Sequence, residues 1–206
     1  MKKEIKFSKQ AESYKDIISF IIALILSQLI WKVMFYDDFD NCRWDSKYLN
    51  ITHIIDNYCF FIANIAEKYL KYFNIEYVQN GNMFYFDNNT SLGIVWGCTG
   101  IKQTIVFIIS ILLSRGSIIY KIPYIISGSI LVFCINIFRI LMLLLTTLHR
   151  VDLFYIMHEY FFKILFYVFI FFLWAIWIEI ILPKFLKNKK KNAEKKIIRN
   201  KSDIAI

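Results

Sequence analysis

Three residues from separate parts of the chain have side chains suited to acyl transfer: Cys98, Arg139 and His158. A cysteine at the amino terminus of a helix feels the positive end of the helix dipole. Nearby cations lower its pKa further and favour the nucleophilic thiolate. Lys102, one turn further on, lies on the same helical face. A histidine can pass a proton to a leaving amine, and a guanidinium can hold a thiolate or a developing oxyanion. Together these residues predict a cysteine acyl-transfer site.

The other cysteines and histidines have simpler interpretations. Cys134 has apolar neighbours and is predicted to serve packing. Cys42 and Cys59 are both expected outside the membrane, where a disulfide between them is an open alternative to two free thiols. His53 is predicted to be solvated and His149 to lie at the membrane interface. No CxxC pair or Cys/His array is present in the sequence, so neither a metal ion nor an organic cofactor is indicated.

The elements that position these residues are predicted to lie in a membrane. The chain has 206 residues, of which 58% are hydrophobic, and its mean hydropathy is +0.48, which is unusual for one soluble domain. Apolar and aromatic residues come in blocks rather than alternating, which favours helices over a β-barrel. The net charge of +9 is concentrated in the two ends beside apolar runs and in no nucleic-acid-binding motif, so no nucleic acid partner is expected.

About four apolar segments are predicted to cross the bilayer, for which a helix needs about 20 residues. The second of them is short, and the four segments are Ile17–Tyr36, Ile101–Leu113, Ile122–Thr146 and Tyr160–Leu182. A cleaved signal peptide is the alternative for the first, but that run is longer than usual and no small-residue cleavage site follows it. The predicted fold class is therefore an all-α integral membrane protein.

The distribution of charge predicts the orientation. Lysines precede the first span and aspartates follow it, which places the amino terminus in the cytoplasm by the positive-inside rule. The lysine-rich tail after Pro183 belongs on the same side. The predicted organisation is a basic cytoplasmic segment 1–16, a transmembrane domain 17–182 and a basic cytoplasmic tail 183–206.

The outer segments are predicted to be an interfacial helix and a small β-hairpin. Ile51–Tyr72 is apolar on one face but carries too many polar groups for a comfortable span. The short extended pieces that follow are Ile75–Val78, Met83–Phe86 and Ser91–Val95, separated by Asn/Gly turn signals. A polar outer connection is expected from His149 to Glu159. This topology brings Cys98, Arg139 and His158 to the outer membrane face. An arginine within a span costs several kcal/mol unless it has a partner or water, so Arg139 is a functional candidate.

The motifs around these residues resemble those of the exosortase/archaeosortase family. Trp96-Gly97-Cys98-Thr99-Gly100-Ile101-Lys102 is similar to the family's cysteine signature, with Thr99 for the usual serine and Lys102 for the usual arginine. Asn136-Ile137-Phe138-Arg139-Ile140 is similar to its Asn-x-x-Arg motif. His158, about twenty residues further on, matches the third catalytic position better than His149 does. The resemblance covers roughly residues 50 to 182.

The resemblance implies a membrane cysteine transpeptidase. Such enzymes recognise exported proteins by a carboxy-terminal motif, a transmembrane helix and a basic cluster, cleave near the motif and pass the new carboxy terminus to an acceptor, for which a lipid or glycan is a candidate. By position, Cys98 would form a thioester, His158 would act as general acid and base, and Arg139 would stabilise the thiolate or oxyanion. Asn136 would orient Arg139, with Lys102, Thr99 and Gly100 in support. The implied location is the cell membrane, crossed several times, with the site on the extracytoplasmic face.

Two other classes of protein remain open at this point. One is a membrane cysteine protease that only hydrolyses its thioester with water. The other is a small non-enzymatic scaffold or transport protein. A scaffold does not need cysteine, arginine and histidine on one face, and a transporter more often shows paired broken helices or midplane charges. The transpeptidase is therefore the preferred hypothesis.

Overall fold

A computed structural model describes residues 2–34, 50–87 and 89–187. Cys42, the acidic segment around it and the last nineteen residues lie outside this range. The helices are α1 (Lys2–Met34), α2 (Ile51–Tyr72), α3 (Ile101–Leu113), α4 (Ile118–His149), α5 (Val151–Ile156) and α6 (Phe162–Ile176), and the strands are β1 (Val78–Asn80), β2 (Met83–Tyr85) and β3 (Ser91–Gly93). Helix thus dominates the described residues, which confirms the predicted all-α class.

Three described helical segments are long and apolar enough to cross a membrane: Tyr14–Met34, Ile118–His149 and Val151–Lys187. The predicted second span is the apolar helix α3, which has only 13 residues. At about 1.5 Å per residue it is about 20 Å long, shorter than a hydrocarbon core of about 30 Å. α3 packs against α1, α4 and α6, so this short apolar helix lies within the helical bundle.

One end of the bundle is held by buried polar contacts. Asp16 at the start of the first span is 4% exposed and accepts two hydrogen bonds from Arg115, one of them from Nε at 2.7 Å. The Lys121 ammonium donates to the main-chain carbonyls that end α3, and Trp177 Nε1 donates to the Arg115 carbonyl at 3.1 Å. The Lys121 contacts satisfy carbonyl groups that a helix leaves open at its carboxyl end.

The packing of α3 on α4 depends on Gly128. A Cβ atom at this position would lie 2.2 Å from Phe107 Cζ and 2.6 Å from its Cε1. Phe107 is fully buried in the central apolar cluster with Val132 and Phe166. Its ring therefore cannot move aside without displacing other core residues, and the close approach of the two helices requires glycine here.

Gly128→Ala is expected to lower the thermal unfolding temperature in detergent. Alanine improves helix propensity by about 1 kcal/mol, but overpacking a filled core costs about 1–3 kcal/mol, and the 2.2 Å contact favours the larger cost. The double variant with Phe107→Leu makes room for the methyl group and should recover part of the loss. Unchanged or raised stability of Gly128→Ala alone would contradict this account of the packing.

Beside the helical bundle lie α2 and a three-stranded antiparallel sheet in the order β1-β2-β3. The predicted hairpin is present, with Gln79 opposite Phe84, and β3 extends it by pairing Leu92 with Phe84. α2 begins and ends at the predicted residues and is capped by Asn50, whose side chain accepts from the His53 amide. Its buried face and the sheet's buried side chains form one cluster with Ile140 and Leu144 of α4.

Two sequence predictions about α4 and the segment that follows it are corrected by the structure. The expected polar connection 149–159 is helical: α4 ends at His149, Arg150 alone breaks the helix with φ −148°, and α5 begins at Val151. A one-residue break suffices because Arg150 N–H still donates to Thr146 and its carbonyl starts the next helix by accepting from Leu153. Cys134, predicted to serve packing, is exposed on the surface of α4.

Candidate functional site

Cys98 is positioned by a short 3-10 helix, Trp96–Cys98, that precedes α3. The Cys98 amide donates to the Val95 carbonyl at 2.8 Å. The Thr99 hydroxyl donates to the Trp96 carbonyl at 2.6 Å and is 2% exposed, so Thr99 supports the turn rather than facing a substrate. Because its partners are main-chain groups, serine could make the same bond at this position.

Gly100 and Asn136 lock this turn onto α4. Gly100 has φ +74°, a left-handed conformation that favours glycine, and a Cβ there would lie 2.8 Å from Asn136 Cγ. The Asn136 side chain donates to the Cys98 carbonyl at 2.8 Å. The expected role for Asn136 was to orient Arg139, whereas the hydrogen bond that the structure gives this amide holds the main chain of the cysteine.

The turn also contacts α2. Trp96 Nε1 donates to Asp56 Oδ1 at 2.6 Å, and the Trp96 ring packs with Trp31 and Cys59 in a buried cluster. Cys59 is a free thiol and is 2% exposed. Burial, together with the nearby Asp56 and Cys98, raises its pKa to about 12, as expected for an inert packed thiol.

A cavity of about 120 Å³ lies where α1, the 3-10 turn, α3, α4 and the helix after Val151 meet. Its wall includes the predicted residues Arg139, His158 and Lys102, together with Gly97 beside Cys98. The remaining lining residues are Trp31, Val95, Trp96, Gln103, Glu159, Lys163 and Tyr167. Two of the three proposed catalytic side chains therefore face one cavity, and the third lies next to a residue of its wall.

Arg139 carries the central charge of this site. It is 3% exposed, and its Nε has no hydrogen-bond partner among the described residues. The guanidinium lies 5.8 Å from the centre of the Phe166 ring and interacts electrostatically with Cys98, His158 and Glu159. A buried guanidinium with an open donor can stabilise negative charge that develops on a reacting group.

His158 is fixed by two neighbours on its own helix. Its Nδ1 lies 2.9 Å from Glu159 Oε1, and its ring stacks on Phe154 with centres 5.7 Å apart and an interplanar angle of 9°. Lys163 donates to the other oxygen of Glu159. The imidazole thus has a defined plane and one nitrogen already engaged by a carboxylate.

The thiol of Cys98 differs from the sequence expectation. Cys98 is 7% exposed and packs with Ile140 and Leu144. Burial raises the pKa of the Cys98 thiol, and the Arg139 guanidinium and a hydrogen bond with the Val95 main chain offset part of that rise. The expected lowering by cations is therefore present but smaller than the cost of burying the charge. At neutral pH the protonated thiol predominates, so a base is needed to activate it.

Alkylation of Cys98 by iodoacetamide is expected to be slow at pH 7 and still rising at pH 9. The ordinary thiol pKa is 9.0, and only the thiolate reacts. Because Arg139 favours the charged form, Arg139→Ala should slow alkylation at any given pH. Mass spectrometry of the Cys98 peptide against pH measures this, and a rate that levels off below pH 8 would contradict the raised pKa.

Motifs in the sequence identified three residues of the cavity wall, Arg139, His158 and Lys102, and the turn residues Cys98, Thr99 and Gly100. The sequence analysis missed the groups that hold them. Glu159 and Lys163 were not singled out, although their i,i+4 spacing beside His158 was a readable signal. Asp56 and Trp31 could not be found, because each lies far along the chain from the residue that it contacts. His149 lies on a separate cavity with Glu76 and Asp87.

Neither a curated protein nor a solved structure matches the chain. The family model for transmembrane exosortases matches residues 49–176. This match covers more than half of the chain and includes the turn of Cys98, Arg139 in α4 and the helical segment of His158. Together with the apolar helical bundle, it establishes that the chain belongs to the transmembrane exosortase family.

Proposed function

We propose that this protein is a membrane cysteine transpeptidase that removes the carboxy-terminal sorting signal of exported proteins and transfers the new carboxy terminus to an acceptor. The observation that carries the proposal is the meeting of Arg139, His158 and the Cys98 turn at one cavity. These groups come from three helical segments, and their convergence supplies a nucleophile, a base and a stabiliser of negative charge.

In the proposed reaction Cys98 and His158 act in both half-reactions, thioester formation and transfer to the acceptor. His158 takes the proton from Cys98 Sγ while the sulfur attacks the scissile carbonyl carbon, and Arg139 stabilises the oxyanion. The carbon–nitrogen bond then breaks, the leaving amine takes the proton from His158, and a thioester remains on Cys98. An acceptor nucleophile then gives its proton to His158 and attacks the thioester carbonyl carbon. The carbon–sulfur bond breaks to release the transferred product, and the Cys98 thiolate takes the proton back from His158.

The proposed location is the cell membrane, with the cavity on the extracytoplasmic side. Asp16, Arg115 and Lys121 lie at the opposite end of α3 from Cys98, and the lysines before the first span favour the cytoplasm. An impermeant thiol reagent should therefore reach Cys98 in intact cells. Labelling of Cys98 only in inverted vesicles would contradict this orientation.

The proposal is tested by expressing the full chain with exported proteins that end in a motif, a transmembrane helix and a basic cluster. Mass spectrometry then follows their carboxy termini against a host without the chain. Loss of the tail with added mass on the new terminus supports transfer, and loss with a free carboxylate supports hydrolysis alone. Intact tails on every candidate would contradict the proposed activity toward this class of substrate.

A further inference from the structure

The contact between His158 and Glu159 is unusual because adjacent residues of an α-helix do not face each other. Here they lie in a π-helical turn, Met157–Phe161, in which the Phe162 amide donates to the Met157 carbonyl five residues back. Within this turn His158 Nδ1 lies 2.9 Å from Glu159 Oε1. Such single π turns within α-helices are frequent at functional sites.

We propose that Glu159 is a positioning residue that keeps the proton of neutral His158 on Nδ1 and leaves Nε2 as the base for Cys98. This inference rests on the transpeptidase function proposed above. It adds a fourth functional side chain to the set of Cys98, Arg139 and His158, and makes the base a histidine–carboxylate pair.

The chemistry of the contact assigns the proton. An ionised carboxylate can only accept hydrogen bonds, so an imidazole nitrogen in contact with one must carry the hydrogen. Lys163 bonds the second oxygen of Glu159, which favours the ionised carboxylate and restrains its rotation. With Nδ1–H engaged, Nε2 is the nitrogen that has a lone pair.

The surroundings explain why such a carboxylate is needed. Among the described residues, three cations line the cavity with His158: Arg139 from α4, Lys102 from α3 and Lys163 from its own helix. Glu159 is the one acidic residue that the described part of the chain contributes to the cavity lining. When His158 takes the Cys98 proton, the imidazolium forms among these cations. The adjacent carboxylate stabilises that charge, as the third member of a nucleophile–histidine–acid triad does. The proton is then delivered from Nε2 to the leaving amine nitrogen, so that Glu159 itself stays ionised.

The first test reads the tautomer directly and does not depend on a substrate. The full chain, labelled with ¹⁵N-histidine and reconstituted in lipid nanodiscs, gives ring-nitrogen shifts by NMR, and the signals lost in His158→Gln identify this residue. We expect protonated Nδ1 and unprotonated Nε2 in the wild type. Glu159→Gln should mix or reverse the tautomers, and Lys163→Gln should leave Nδ1 protonated. Wild-type His158 with its proton on Nε2 would overturn the proposal.

The second test measures processing of a sorting-signal protein that the wild type cleaves. Glu159→Gln is expected to lower kcat on the order of 10²-fold, the lower range for lost acid–base catalysis, with little change in KM. Glu159→Asp should restore much of the rate. Glu179→Gln, an exposed acid at the far end of the same helical segment, is the matched control and should process normally. A wild-type rate for Glu159→Gln would overturn the positioning role. If the wild type processes no candidate, the proposed function fails while the tautomer still decides the role of Glu159.

Discussion

Cys98→Ala is expected to leave every sorting-signal tail intact and to lower processing by at least about 10³-fold, as loss of a covalent nucleophile does in other enzymes. The reason is that no step of the proposed reaction proceeds without the sulfur that forms the thioester. Processing is measured by mass spectrometry of the exported protein's carboxy terminus. The alanine should be tolerated by the fold, because Cys98 packs among apolar neighbours and its main chain, which alanine keeps, makes the hydrogen bonds with Val95 and Asn136.

The matched control for Cys98→Ala is Cys134→Ala. Cys134 is also a free thiol of this chain but is exposed on the surface of α4, so its replacement should leave processing unchanged. Equal tail removal by wild type and Cys98→Ala would refute thioester chemistry. Equal loss with both variants would instead indicate that the assay depends on a nonspecific thiol effect.

His158→Ala is expected to lower processing by about 10²–10⁴-fold, the range that general acid–base catalysis contributes. The loss should be large because burial raises the pKa of the Cys98 thiol, so the nucleophile depends on a base at neutral pH. Removing His158 also removes the proton donor for the leaving amine. The measurement is the rate of tail removal at fixed substrate level, together with the thermal unfolding temperature in detergent.

His149→Ala is the control for this histidine. His149 is exposed at the carboxyl end of α4 and lines a different cavity with Glu76 and Asp87. Most processing should remain in this variant. If His149→Ala abolishes processing and His158→Ala does not, the base has been assigned to the wrong histidine and the site must be placed at the other cavity.

Much of the fold follows from local patterns in the chain. The α2 helix begins and ends where its apolar periodicity predicts, and the spans follow from runs of apolar residues. The prediction of a long polar connection after His149 was wrong, because the helix is interrupted only at Arg150, through its backbone conformation. No glycine or proline marks that position. Ser91–Val95 was predicted to be extended, but its pairing with β2 through Leu92 and Phe84 was not predicted.

The sequence by itself determined the membrane class, the order of the helices and the residue types of the candidate site, because hydropathy and short motifs are properties of contiguous residues. Tertiary structure decided which groups work together. Three features arise between segments that are distant along the chain. They are the hydrogen bond from Asn136 to the Cys98 carbonyl, the hydrogen bond from Trp96 to Asp56 and the net rise in the pKa of Cys98. Burial and the distance between charges set these interactions, and neither is defined until the helices have packed.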